Sequence, residues 1–328
     1  MSDHALPFSD ASARVLEWRL LTGRHFAALD PARCVVTATL SPLEVHGPHL
    51  PVAADNAEAD ELMRRTVLRL AERFPDRTFL RMPPLIVAAD VLPQRGSVMF
   101  RSSTVVRVVE DLGRSLAAQG FRDIWLSNFH GGPRHFVPLE HACDRVNRRH
   151  GARMVSAFSL LITRLTDGHT DLSGILAHLP GLSVETLAGD SHGGVIETSL
   201  MLHLFGDGVG AEYRTLPTRT VAQWLAERGT PPTAPDGLLG RIRHFVDLLK
   251  YFSENTYTGA PWAADAALGN AIFDVLAEHS ADALAELLDG RRTPAECRSP
   301  LWKLRHLFVD DRLGTLLERL VGFKQRVF

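Results

Sequence analysis

Cysteine is scarce. The 328 residues include only Cys34, Cys143 and Cys297, far apart and with no CxxC pair. That excludes a zinc ribbon and a disulfide framework and suits a reducing compartment. Charge of one sign is also lacking: 36 Lys+Arg face 38 Asp+Glu, for a net −2 and a pI near 6.7. A generally basic, nucleic-acid-binding surface is therefore not expected. The arginines near 145–149 and 241–243 fall in helical patterns and read as solvated faces. No run of about 18 apolar residues occurs, so no membrane span is expected. The opening Met1-Ser2-Asp3-His4-Ala5-Leu6-Pro7 lacks the charged start and apolar core of a secretory signal, and the expected location is the cytoplasm. No GxGxxG or GxxxxGK[ST] argues for nucleotide binding. Internal repeats and low-complexity tracts are absent too.

What remains is ordinary globular material, 45% hydrophobic and 23% charged, enough for one large α/β domain or two smaller ones. Residues 11–29 carry Val15, Leu16, Leu20 and Leu21 at helical spacing. The run Cys34-Val35-Val36-Thr37-Ala38-Thr39-Leu40 predicts a buried strand. A helix over 57–74 follows, with Leu62, Val67, Leu70 and Ala71 inward, then a strand near 78–81. Val105, Val108, Val109, Leu112 and Leu116 form one helical stripe that Gly120 ends. Strand 121–127, helix 135–149 and strand 154–157 complete the alternation, which argues for right-handed crossovers and a largely parallel sheet. The rhythm is lost over 213–235; helical patterns return at 238–252 and at 263–288, the latter broken around Gly269. A tail from 291 ends in the periodic Leu313, Leu316, Leu317, Leu320 and Val321, a stripe that predicts packing on the domain or on a second subunit.

Three segments share a design of strand-like residues, a polar group and a glycine: Glu44-Val45-His46-Gly47-Pro48-His49-Leu50-Pro51 with Asp55 beyond, Asn128-Phe129-His130-Gly131-Gly132, and Asp190-Ser191-His192-Gly193-Gly194-Val195-Ile196-Glu197-Thr198-Ser199. If Glu44 and His46 are still extended, the strand period puts both side chains on one face. Each segment alone has a plain structural account: a polar loop, a helix start, a tight turn. Together, at element boundaries where α/β sheets bind ligands, they point to a site. Glu44, His46, Asp55, His130 and Glu197, with His192 near the last, form a nitrogen–oxygen set without thiolate, suited to Zn, Mn or a similar ion. A metal pair about 3.5–4 Å apart, bridged by an Asp and a water, would use all five.

These residues resemble the creatininase (creatinine amidohydrolase) family. The first segment is similar to that family's E-x-H-G-P-H-L-P followed by Asp, the second, with Pro133, to its N-G-H-G-G-N, and the third to its H-A-G-E-x-E-T-S. Gly120-Phe121-Arg122-Asp123-Ile124 also has the family's look, and Thr258-Gly259-Ala260-Pro261 is a weaker match. The resemblance implies a three-layer α/β/α sandwich with a mostly parallel central sheet. On this chain that would be a domain over 1–290 with a helical insert near 213–255, followed by a C-terminal helical extension over 291–328. It further implies a homo-oligomer, usually a hexamer, with two divalent ions (Zn or Mn, with Fe as a further candidate) that hydrolyse a C–N bond of a small amide. Carried over by position, Glu44, Asp55 and His130 would hold one metal, and His46 with the bridging Asp55 the other. The family's last ligand stands two residues after the second-motif histidine, where this chain has Gly132, so Glu197 would replace it. His192 matches the family's proton donor to the leaving nitrogen. The departures (Ser41-Pro42 for Gly-Ser, Val45, Phe129, Pro133 and Val195, and Ala188 where creatininase proper has tryptophan) imply a substrate other than creatinine. A peptide-maturing hydrolase and a non-catalytic metal-binding scaffold are the alternatives.

Overall fold

The computed structural model describes residues 14–166, 176, 178–231 and 237–320. Its centre is a five-stranded sheet of β1 (Val15–Glu17), β2 (Cys34–Thr39), β3 (Thr78–Arg81), β4 (Asp123–Ser127) and β5 (Arg153–Ser156), in the order β1-β3-β2-β4-β5. Every pairing is parallel, with Val36 opposite Leu80 on one side and Ile124 on the other. Period-two alternation sends Leu16, Val36, Leu80, Ile124 and Met154 into one core and Val15, Val35, Phe79, Trp125 and Val155 into the other. Strands buried on both faces need near-continuous apolar sequence, and the 34–40 run supplies it.

Helices cover both faces, giving the three-layer sandwich. After α1 (Gly23–Ala28), α2 (Ala54–Arg73) follows β2, α3 (Ser102–Ala118) precedes β4, and α4 (Pro133–His150) precedes β5. Val105, Val109, Leu139 and Val146 of α3 and α4 line the first core. The second holds Met63, Val67 and Leu70 of α2, Leu160 of α5 (Ala157–Thr166) and, from further along the chain, Leu284 and Leu287. The chain then continues through α6 (Val184–Leu187), α7 (Val195–Phe205), α8 (Val221–Glu227), α9 (Gly237–Phe252) and α10 (Ala266–Leu288), the last of which carries Leu284 and Leu287. Short helices α11 (Arg305–Val309) and α12 (Asp311–Leu320) end the described chain. The tail lies on α4 and α3: the Ser299 amide donates to Glu140 at 2.9 Å, Arg298 pairs with Asp144, and the Ser103 hydroxyl donates to Asp311.

Strand order also places the site. From β2 the chain crosses to β3 on one side, and from β3 it passes back over β2 to β4 on the other. Right-handed crossovers in opposite directions put α2 and α3 on opposite faces, so the loops leaving β2 and β4 diverge and open a crevice at the carboxyl edge. Three expectations need correction. Val15 and Leu16 belong to a strand, not a helix, because pairing with β3 sends them into separate cores; residues 11–13 lie outside the described ones. Helix α10 runs unbroken through Gly269, which packs against α7. Strand β2 ends at Thr39, so Glu44 and His46 are carried by a loop pinned by single bridges, Leu40 to Leu85 and Leu43 to Val98, rather than by strand periodicity. Of the insert, 232–236 lie outside the described residues, as do Val321 and the side chain of Leu317 in the tail stripe. No helix among the described residues is long and apolar enough to cross a membrane.

Candidate metal centre

The three segments meet in that crevice. Glu44 and His46 arrive from the loop after β2, Asp55 from the first turn of α2, His130 from the loop after β4, and His192 and Glu197 from the approach to α7 and its first turn. All six are buried, Glu44, His46 and Asp55 to 1% exposure or less. Two triads have donor atoms close enough to share one ion each: Glu44–Asp55–His130 and His46–Asp55–Glu197. Asp55 belongs to both. His130 Nδ1 lies 2.9 Å from Glu44 Oε2 and 3.8 Å from Asp55 Oδ2; His46 Nε2 lies 3.5 Å from Asp55 Oδ1 and 3.7 Å from Glu197 Oε2. A third set, Glu44–His46–His192, is as compact.

The outer contacts fix which nitrogens point inward. His46 Nδ1 lies 3.0 Å from the Glu44 carbonyl, and His130 Nε2 lies 2.9 Å from the Asp90 carbonyl. Each outward N–H donates to a carbonyl, which turns His46 Nε2 and His130 Nδ1 toward the carboxylates, the orientation metal-binding histidines require. The Leu92 amide holds Glu44 Oε1 and the Gly193 amide holds Glu197 Oε2. Buried His46 Nε2 and Asp55 Oδ2 have no hydrogen-bond partner, and Glu44 Oε2 faces only His130. Converging, orphaned acceptors are costly unless a cation satisfies them.

Electrostatics agrees. Burial alone would press His46 and His130 down; instead the charges of Asp55 and Glu197 hold His46 well above its ordinary range, and Glu44 holds His130 at about 10. Burial, helped by Asp55 and opposed by His46, lifts Glu197 to about 7. This excess of buried negative charge is what dications would neutralise, and the donor set fits a pair of them. His192 differs: burial and neighbouring His46 keep it far below the ordinary range, hence neutral. It stacks on His46 at 3.9 Å between ring centroids, and its Nε2 donates to the Val45 carbonyl at 3.0 Å.

Gly132 has a steric reason to be glycine. A Cβ there would sit 2.4 Å from His130 Nε2 and 2.8 Å from the Asp90 Cβ. A side chain at that position would collide with the His130 ring and Asp90, whereas Glu197 reaches the same cluster from α7. The weak 258–261 match is a strap: the Thr256 carbonyl accepts the Gly47 amide at 2.6 Å, and the Thr258 amide donates to the His192 carbonyl at 2.7 Å. The 213–255 segment reaches the site through Phe252, edge-on to the His192 ring at 5.2 Å.

Two residues escaped the sequence reading. Glu58, fully buried on α2 with both carboxyl oxygens unpartnered, is pushed well above the carboxylate range by burial and then by Glu197 and Asp55. Its spacing of three from Asp55 puts it on the same helical face, a signal available in the sequence. Asp90 had none: it lies outside the three segments and acts through its backbone.

Comparison with known proteins follows this geometry. A family model described as creatinine amidohydrolase matches residues 19–284, and the chain belongs to the creatininase family. It is 27% identical over 248 residues to the mycofactocin precursor peptide peptidase of Mycobacterium tuberculosis H37Rv, covering 74% of this chain and 81% of that one. Among solved structures, a manganese creatininase superposes with a TM-score of 0.58 at 22% identity, covering 83% of this chain and 98% of that one. A Bacteroides fragilis NCTC 9343 protein described as a creatinine amidohydrolase gives 0.58 at 18%, covering 84% and 96%. At such identities these structures establish the shared fold.

Proposed function

We propose that this chain is a dinuclear metal-dependent amidohydrolase that cleaves a C–N bond of an amide, cyclic amide or formamide. The observation that carries this reading is Asp55 shared between two buried triads, each of two carboxylates and one histidine. Glu44, Asp55 and His130 would hold one ion; His46, Asp55 and Glu197 the other, with Zn or Mn suited to the donors. When bound, such a pair supplies Lewis acidity toward the substrate carbonyl and a hydroxide at neutral pH.

The protein's own share is orientation and proton handling. Asp90 and the Glu44 carbonyl aim the two histidine rings. His192, neutral and with Nε2–H held by Val45, keeps Nδ1 as its basic nitrogen. That nitrogen would relay the proton left on the attacking oxygen to the departing nitrogen, so that the C–N bond breaks to a carboxylate and a neutral amine. Low exposure keeps bulk water from competing. Exhaustive chelation should abolish hydrolysis, and Mn or Zn should restore it; full activity without metal would end this reading.

A second reading keeps the chemistry and changes the substrate to a precursor peptide, favoured by the name of the Mycobacterium tuberculosis relative. Hydrolysis of short peptides against small cyclic amides separates the two. The same proposal includes a homo-oligomer, up to a hexamer, and a reducing, cytoplasmic setting. Exposed Leu313, Leu316 and Leu320 on α12 support the former, and three free buried cysteines the latter.

A further inference from the structure

An apolar cavity opens directly from the metal cluster. It is lined at the cluster by Asp55, His130, His192 and Glu197 and otherwise mainly by Leu62, Met63, Phe129, Phe158, Leu161 and Leu276, with a volume of about 250 Å³. Asp55, Leu62, Met63 and Thr66 all lie on α2 and all reach its wall. At 1.5 Å rise per residue the cavity therefore runs beside that helix for about 16 Å. Helices α5 and α10 supply the facing wall through Leu161 and Leu276. Among the described lining residues none is Lys or Arg, and Asp190, the acid outside the cluster, directs its Oδ2 to the Val195 amide. An anionic or strongly polar group would find no counter-charge among these described residues, whereas an uncharged hydrocarbon group would lose only water.

We infer that this cavity is a substrate subsite for an uncharged aliphatic or aromatic group, several carbons long, carried by the amide whose C–N bond is cleaved. The inference rests on the metal-centre reading, since the cluster is what anchors the reacting carbonyl at the cavity's end. A one-ring polar substrate the size of creatinine would leave most of this channel unfilled. A polar cluster at one end of an apolar recess is the usual division of labour in a ligand pocket: few polar groups orient, and the apolar wall supplies affinity.

The test uses full-length protein reconstituted with Zn or Mn, its ion content measured, and straight-chain hydroxamic acids from acetohydroxamate to octanohydroxamate as probes, with Kd read by calorimetry. The hydroxamate engages the ions and the chain reports on the cavity. Kd should fall by about fourfold per added methylene until the cavity is filled. Leu161→Phe should erase the gain for longer chains while leaving acetohydroxamate binding and ion content unchanged. Leu161→Ala should shift the optimum to a longer chain, which keeps the test decisive if the bulkier variant folds poorly. Affinities within twofold across the series at full ion occupancy would overturn the subsite and leave the metal centre standing. A chain-length gain that neither Leu161 variant alters would also overturn it. No bound ion and no hydroxamate binding would overturn both the metal reading and this inference.

Discussion

The carbonyl oxygen of Asp90 lies 2.9 Å from His130 Nε2. Among the described residues Asp90 is also the non-glycine residue with a left-handed backbone, at φ 63°, and its Oδ2 accepts the Arg134 amide at 2.8 Å. The side chain thus anchors a turn whose carbonyl orients the imidazole. Such outer contacts are worth about 10- to 100-fold in metal affinity. Asp90→Ala loses the anchor and with it the local hydrogen bond that lets an aspartate occupy the left-handed region. It should lower the melting temperature and weaken metal binding by about tenfold. Asp90→Asn, which tolerates the conformation and keeps an acceptor, should stay close to wild type. Calorimetric metal titration checks both; Asp90→Ala with undiminished affinity would show that His130 is oriented without it.

Asp55 is common to both triads, so its loss should be felt by both ions. If the proposed pair is held, Asp55→Ala should reduce bound metal from two per chain to less than one, while Glu44→Gln should lose about one, from the triad with His130. Elemental analysis after equilibrium dialysis against a metal buffer measures this. If Asp55→Ala still held two ions, the bridge would be wrong.

Much of this was legible because local sequence set it. Val35, Val36 and their neighbours read as a buried strand, and two of the three glycine-flanked histidine segments fall where β2 and β4 end, while the third leads into α7. What the sequence could not supply came from contacts far along the chain. Val15 and Leu16 have helical spacing, yet pairing with β3 decides their conformation. Asp90 touches His130 across 40 positions through a carbonyl every residue possesses. Gly269 resembles a helix breaker until its packing partner is known.

Stability of the metal-free protein should depend on pH from both sides. His49, buried and 2.9 Å from the Thr198 hydroxyl, is pressed down to about 4 by burial, and His135 to about 3 by burial and the charge of His130. Both must fold neutral, so their contributions are complete above about 6.5 and are lost as pH falls toward those values. Glu58 runs the other way. Its folded-state pKa is raised, so its contribution is complete below about 4.5 and is lost as pH climbs toward that raised value. Each group can contribute a slope of up to about 1.4 kcal/mol per pH unit. Denaturant midpoints across pH should therefore be flatter on the acid side in His135→Gln and on the basic side in Glu58→Gln. An unchanged pH profile in either variant would remove that group from the account.

Gly269 sits in the first turn of α10 where it crosses α7, and a Cβ there would lie 1.9 Å from the Ser199 carbonyl oxygen and 2.4 Å from its carbonyl carbon. Both obstacles are backbone, so no rotamer change relieves the overlap and one helix must move. The crossing is reinforced by the Asp265 amide donating to the Ser199 hydroxyl at 3.2 Å. Gly269→Ala should destabilise the protein by about 3 kcal/mol or more, at the upper end of overpacking costs. Gly23→Ala, with open space around it, should change stability by less than about 0.5 kcal/mol. Because Glu197 lies two residues from Ser199 on the displaced helix, metal loss should be uneven. The ion held by His46, Asp55 and Glu197 should weaken first, and that held by Glu44, Asp55 and His130 should persist. Stepwise metal titration of the folded variant reads the difference, and equal weakening of both ions would place the damage in the fold as a whole rather than in the arm that carries Glu197.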